Sequence, residues 1–419
     1  MGFNYLDLNK DLTRDQIQLK MSVREFAQKV LRPAARELDE LSNPEDVVKK
    51  GSLFWDGMRK MRELDYHTAH LPEQIGGMGL SPIELHILFE EIAAASAGFA
   101  IALGVDMFPA LLAAMTQQPE LIEKFTVPYV RDREMKMLGC WAITEPAHGS
   151  DMLMPGTPYF EDPKIHGEVL AELQGDEWVI SGQKSAWVSD GPVATHAAVY
   201  LTIFKGKGMM GKGMTGGGIA IVPLDLPGVS KGKALSKIGQ RELPQGEIYF
   251  DNVRIPQNYM IAGPEIYTDM LEMTLAMCNG LMGAIFTGVA RSAFEEALLY
   301  SKGRVQGGVP ICQHQLVQDK LFKMFMKVEA ARALSRSALN YNLSTQPPSV
   351  QYSIAAKVFC TRSAFEIASE AIQIFGGNGL SREYPVEKIF RDARASMIED
   401  GANEVLGLTA AHNLLKKYR

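Results

Sequence analysis

The hydrophobic pattern of this 419-residue chain changes period twice, and no single motif constrains the fold as much. From Thr13 to about Arg131, apolar residues recur at helical spacing, as in Ile17, Met21, Val23, Phe26, Ala27 and Val30. Pro and Gly gather there in short joints such as 72–79. Between about 137 and 262 the pattern turns to short β-type runs, Trp178-Val-Ile-Ser181, His196 to Leu201, Gly218 to Val222 and Glu247 to Phe250, divided by Gly- and Pro-rich turns. Long helical patterns return from about 264, over 281–300, 316–341 and 353–375. The order predicts a mainly α protein with a small central β domain, an α+β chain with helices over 1–136, strands over 137–262 and helices over 263–419. With 46% hydrophobic and 22% charged residues, such a chain can bury a large core.

Composition narrows the partners. Against 49 Asp+Glu stand 43 Lys+Arg, net −6, with no long basic run to neutralise a phosphate backbone, so nucleic acid is not expected. Cys140, Cys278, Cys312 and Cys360 are far apart and show no C-x-x-C spacing, which argues for a reducing compartment without disulfides or zinc sites. The first ten residues do not read as a signal peptide, and no stretch offers about 18 uninterrupted apolar residues. The expectation is a soluble cytoplasmic protein without a membrane span.

Three motif matches fail on context. Gly211-Lys-Gly-Met-Thr-Gly216 matches G-x-G-x-x-G but precedes a strand pattern instead of opening a helix, so 206–218 reads as a glycine-rich surface loop. Gly228-Val-Ser-Lys-Gly232 lacks the apolar helix that a nucleophile elbow needs. His67 and His70 have no third ligand nearby, so packing is the reading and no metal is implied.

Two segments are more specific. In Cys140-Trp-Ala-Ile-Thr-Glu-Pro-Ala-His-Gly-Ser-Asp151 a strand-like run ends in hydroxyl and glycine residues able to offer backbone N–H groups to an anionic ligand. In Gln373-Ile-Phe-Gly-Gly-Asn-Gly379, continuing to Asp392, a helix stops at paired glycines that let another backbone or a ligand approach. A plain Gly-rich turn would explain those glycines but not the positions around them. The two segments match E-x-x-x-G-S-D and Q-x-x-G-G-x-G, the signatures of the acyl-CoA dehydrogenase family, which this chain resembles over nearly its whole length. Further blocks run in the same order: Trp178 to Lys184, Val222-Pro to Gly232, Lys237-Ile-Gly-Gln-Arg241, Phe250 to Pro256, and Arg304 followed eleven residues later by Gln315.

The resemblance implies a helical domain, a β-barrel-like middle domain and a C-terminal four-helix bundle. It implies FAD as cofactor, an acyl-CoA thioester as substrate, an electron-transferring flavoprotein as acceptor and a homotetramer. Carried over residue by residue, Trp141, Ile143, Thr144, Gly149 and Ser150 line the flavin and its pyrophosphate, with Ser150 also near the thioester. Trp187 and Ser189 belong to the strand against the flavin ring. Arg304, Gln315, Gln373, Gly376 and Gly377 reach the adenine half of a neighbouring subunit's flavin, and Asn403 and Glu404 lie against the flavin of their own. Asn279 and Gly401 fall at substrate-binding positions.

The chain also departs from the family pattern. Glu399-Asp-Gly-Ala-Asn-Glu-Val405 stands where Tyr-Glu-Gly-Thr-Asn-Glu-Ile is commonest, which places Asp400, one methylene short, at the position of the catalytic base. Glu399 reads as a solvated or supporting carboxylate that points elsewhere. Asp106, alone on the apolar run 100–108, is a second candidate base lining the acyl pocket, or else a cap or ion-pair partner. Asn279 replaces a common arginine, Gln306-Gly307 an aromatic, one extra residue precedes Trp187, and 152–173 is longer than usual. These changes suggest a specialised cyclic, branched or carboxylated acyl group. Two rivals keep the fold: a non-oxidative acyl-CoA lyase that decarboxylates or desulfinates, and a catalytically silent acyl-CoA-binding scaffold.

Overall fold

Local signals start the first helices. Thr13 and Gln16 form a capping box ahead of the helix Arg14–Phe26, and Ser81 and Glu84 form another, with Pro82 at the first position, ahead of Pro82–Ala95. Pro82–Ala95 and its successor Ala97–Asp106 are buried on nearly every face and form the centre of the N-terminal region. In this computed structural model residues 12–162, 164–204 and 214–417 are described. The helices of the first region end with Val127–Arg131, and a sheet occupies the middle of the chain.

The sheet contains β1 (Gly139–Ala142), β2 (Leu170–Gln174), β3 (Glu177–Ser189), β4 (His196–Phe204), β5 (Met214–Pro223), β6 (Val229–Lys231), β7 (Gln245–Pro256) and β8 (Met260–Ala262). Its order is β6-β7-β3-β2-β4-β5-β8, and β1 pairs in parallel with the other end of the β4 edge that β2 occupies. All four strand runs expected from the sequence lie within β3, β4, β5 and β7. The expected loop over 206–218 is only partly testable, since 205–213 lie outside the described residues, but from Met214 onward the chain is strand β5 and not loop. The physical reason lies in packing, because a Cβ on Gly217 would sit 2.4 Å from the Tyr267 ring. Glycine here lets a helix lie directly on the strand.

The C-terminal region is built on three long helices, Tyr267–Gly303, Gln315–Ser344 and Val350–Phe375, with Asn403–Lys417 packed against the third. Buried ion pairs tie them to the first region: Arg291 forks onto Glu91 at 2.8 and 2.7 Å, and Arg332 reaches Glu90 at 2.9 Å. Such pairing offsets part of the cost of burying these charges. Although neither is free of polar interruptions, Ala97–Met115 and Tyr267–Gly303 are long and apolar enough on average to cross a membrane. Yet 89% of each apolar window is buried inside the protein, as expected of core helices. Cys140, Cys278, Cys312 and Cys360 are all unpaired thiols.

Candidate active site

A cleft of about 990 Å³ opens between the sheet and the end of the bundle. Its sheet side is the turn after β1, residues 141–150, with β3 and the loop leading into β7; its other side is the segment 394–401. The first signature therefore lines the cleft, opposite the segment that follows the second.

The turn after β1 is held from beneath. Glu145 and Lys184 form a fully buried ion pair at 2.6 Å, and Lys184 also donates to the Ile143 carbonyl at 2.9 Å. Burial pushes the Lys184 ammonium below its usual range while Glu145 opposes the shift. Thr144 and Ser185 hydroxyls meet at 2.8 Å, which ties the turn to β3. Asp151 accepts from the Gly149 N–H at 2.7 Å and contacts His148 at 2.7 Å, closing the glycine turn. Ser150 Oγ accepts from the Ala402 N–H at 2.8 Å and so joins this turn to the opposite wall.

The strand segment that leads to Trp187 is irregular. Between Lys184 and Val188 the register of β3 against β7 breaks, four steps on one strand facing two on the other. This bulge turns the Trp187 ring outward, 60% exposed, as a flat apolar wall of the cleft. Behind it Gln245 donates to Ser189 Oγ at 3.0 Å and accepts from Lys237, whose ammonium burial lowers to about 8.

Asp400 and Glu399 both line the opposite wall. Burial raises the Asp400 carboxyl to about 6, with Lys357 the positive charge that opposes the shift. Burial raises Glu399 to about 7, opposed by a hydrogen bond from Gln240 Nε2 at 3.1 Å and by Lys237, and assisted by the charge of Asp400. The expectation that Glu399 points elsewhere is thereby corrected, since Gln240, fixed by the Asp392 backbone and side chain, draws it into the cleft. The backbone is left-handed at Asp400 (φ 49°) and Gly401 (φ 100°). Gly401 is confined, because a Cβ would lie 2.8 Å from the Leu406 side chain.

Of the expected site residues, Trp141, Ile143, Thr144, Gly149, Ser150, Trp187, Ser189, Asp400 and Gly401 line the cleft. Asp106 does not. It is a fully buried partner of Arg62 at 2.7 Å and also accepts from Tyr129 at 3.1 Å and the Gly139 N–H at 2.9 Å. The acyl-pocket reading of Asp106 thus gives way to its ion-pair alternative, and its neighbour Val105 lines the cleft instead. Asn279 is buried outside the lining, donating to Leu275 at 3.1 Å. Asn403 is buried against Lys357 and Thr361, and Glu404 is exposed away from the cleft. Arg304, Gln315, Gln373, Gly376 and Gly377 are exposed elsewhere on the bundle. Gln306-Gly307 belongs to a tight hairpin whose Gly307 and Gly308 both have positive φ, which a larger residue would resist. His67 is buried edge-on against Tyr129, and His70 lies against Phe89, as packing residues. Gln245 and Lys357 carried no signal of their own in the sequence, and Lys237 and Gln240 stood out only as part of the block 237–241, with no role attached.

Family models for the acyl-CoA dehydrogenase N-terminal, middle and C-terminal domains match residues 13–130, 140–253 and 269–415. The chain belongs to the acyl-CoA dehydrogenase family. It is 32% identical over 402 residues to cyclohexane-1-carbonyl-CoA dehydrogenase of Geobacter metallireducens, covering 94% of this chain and 96% of that one. The mitochondrial short-chain specific acyl-CoA dehydrogenase of Rattus norvegicus is 29% identical over 414 residues, 98% of this chain and 92% of that one. Butyryl-CoA dehydrogenase from Megasphaera elsdenii has the same fold, with TM-score 0.83 and 28% identity over 99% and 100% of the two chains. This chain is an acyl-CoA dehydrogenase, an FAD-dependent oxidoreductase. The cleft suits that cofactor: the exposed Trp187 ring offers a flat face, and Gly149, with nothing within 4 Å of its would-be Cβ, leaves room for close approach to the backbone.

Proposed function

We propose that the protein oxidises the Cα–Cβ bond of an acyl-CoA thioester with Asp400 as the base. The carrying observation is that Asp400 sits on the cleft wall without a salt bridge among the described residues, on the wall that Ser150 ties to the opposite turn. A base with a carboxyl near 6 is ionised at neutral pH yet basic enough to take the α-proton. Bound FAD supplies the acceptor for the β-hydride. Trp141, Ile143, Thr144, Gly149 and Ser150 hold it with Trp187 and Ser189, and Gly401 flanks the thioester. Arg304, Gln315, Gln373, Gly376 and Gly377 complete the adenine site of an adjacent subunit in a homotetramer, which accounts for polar groups of the signature lying exposed on one chain.

The acyl group we propose is cyclic or branched. The Geobacter relative is named for cyclohexane-1-carbonyl-CoA, and the bulge before Trp187 and the extended connection after Ser150 reshape two walls near the base. That connection lines a second hollow of about 360 Å³ with His148, Tyr159 and Tyr267. Electrons pass to an electron-transferring flavoprotein, and the four free thiols suit the cytoplasm. The test is anaerobic titration of the flavin spectrum with straight-chain, branched, alicyclic and dicarboxylic CoA thioesters. Bleaching by alicyclic or branched thioesters is expected. Turnover without bleaching would replace the reading with the non-oxidative lyase, and binding with neither would leave the silent scaffold.

A further inference from the structure

Lys357 stands in the middle of the helix Val350–Phe375, fully buried. Its ammonium donates to the Gly401 carbonyl at 2.7 Å and to Asn403 Oδ1 at 2.8 Å. Both acceptors are neutral oxygens, so among the described residues this buried charge is held without a salt bridge. Such a charge is costly to keep out of water, and here all of its hydrogen bonds go to one turn. The same turn is pinned at Ala402 by Ser150. It contains two consecutive residues with positive φ, Asp400 and Gly401, a conformation that only a few residue types adopt readily. Without an anchor the turn would relax, and the Asp400 carboxylate would leave its place on the wall.

We propose that Lys357 is a positioning residue for the reaction: it fixes turn 400–403 so that Asp400 faces the cleft, and its positive charge favours the carboxylate form of that side chain. The inference rests on Asp400 being the base. The groups around the turn agree with this assignment. Glu399 lies on the turn itself and Glu404 on the following helix, and both act on Lys357 along with Asp400. Lys237, on the loop before β7, acts on Glu399. Cys278, on Tyr267–Gly303, feels Asp400 and stays a thiol because burial pushes it up. For Asp400 itself, Lys357 is the cation among the described residues that offsets burial.

The test compares FAD-loaded wild type with Lys357→Met, Lys357→Gln and Lys357→Arg in anaerobic stopped-flow bleaching from pH 5 to 9, using whichever CoA thioester bleaches the wild type. Lys357→Met is expected to move the acid limb up by roughly one pH unit or more and to lower the plateau rate at least about tenfold, with KM and FAD content near wild type. Lys357→Gln, a donor without charge, should shift the limb equally and lose less of the plateau. Lys357→Arg should leave the limb in place. An unmoved limb in a folded, FAD-loaded Met or Gln variant overturns the proposal, as does a rate loss that merely tracks FAD loss. If Lys357→Met does not fold, the limb of Lys357→Gln decides. Asp400→Asn separates the two claims: wild-type bleaching there removes the base, whereas an inactive Asp400→Asn beside unshifted lysine variants removes only the role of Lys357.

Discussion

Replacing Glu399 with glutamine distinguishes the two adjacent carboxylates, and the outcome can be worked out from their surroundings. Asp400 titrates at about 6 and Glu399 at about 7, the latter raised partly by the charge of Asp400. Asp400 therefore ionises first, while Glu399 is still a neutral acid. Exchanging a neutral acid for a neutral amide leaves the field at Asp400 nearly unchanged, and the amide still bonds to Gln240. A base acts when deprotonated, so the bleaching rate rises with pH through about 6. Its ionised fraction is about 0.09 at pH 5 and about 0.9 at pH 7, a tenfold span. Glu399→Gln should keep that limb and lose only an inflection near pH 7. Asp400→Asn should abolish bleaching at every pH with FAD still bound. The assay is anaerobic stopped flow under single-turnover conditions. If Glu399→Gln falls to the level of Asp400→Asn, or if the surviving limb vanishes, Asp400 is not the base.

Asp400→Asn should also stabilise the fold. A carboxyl raised from 3.8 to about 6 contributes stability that is present below the unfolded value and lost as pH rises through the folded one. The full difference is about 3 kcal/mol, reduced to about 1–2 kcal/mol for partial exposure, so thermal melts at pH 8 should rise and melts at pH 4 should not. Asp106→Asn should destabilise the fold by roughly 3 kcal/mol and so lower the melting temperature, because Arg62 loses one of its two buried carboxylate partners, yet leave the bleaching rate within about twofold. A large rate loss at unchanged stability would return Asp106 to the chemistry. Gly401→Ala should cost about 1–3 kcal/mol for its positive φ and crowding against Leu406, and should slow bleaching more than it weakens thioester binding. Equal loss of both would show that the turn does not aim the base.

Periodicity carried the fold because it reports one element at a time. The runs at 178–181 and 196–201 are short, apolar and bounded by turn residues, as strands are, whereas the apolar patterns over 281–300 and 353–375 are too long for strands and lie in helices. The site was legible where a residue must be a particular type locally, as at Gly149 and Gly401. It was illegible where the partner comes from afar. Nothing near Asp106 in the chain announces Arg62, 44 residues earlier, and nothing near Glu399 announces Gln240, 159 residues away. The isolated carboxylate at Asp106 was a real signal of a buried charge, but burial alone cannot say whether a neighbour neutralises it.

That asymmetry bears on how the two adjacent carboxylates of the cleft are held. Carboxylates at 399 and 400 would, by charge alone, make each other harder to ionise. The structure offsets this from two separate elements: Gln240 and Lys237 act on Glu399 from the sheet side, and Lys357 acts on Asp400 from the bundle. Each of these groups is anchored by hydrogen bonds that do not involve the carboxylate it serves, Lys237 to Leu243 and Gln245, Lys357 to Gly401 and Asn403. The charges are therefore fixed before any substrate arrives, and neither lysine can be drawn into a tight pair that would quench the base. The charge of Lys357, held by its own hydrogen bonds to Gly401 and Asn403, acts on Asp400 without occupying it, which suits a carboxylate proposed to exchange a proton with a thioester.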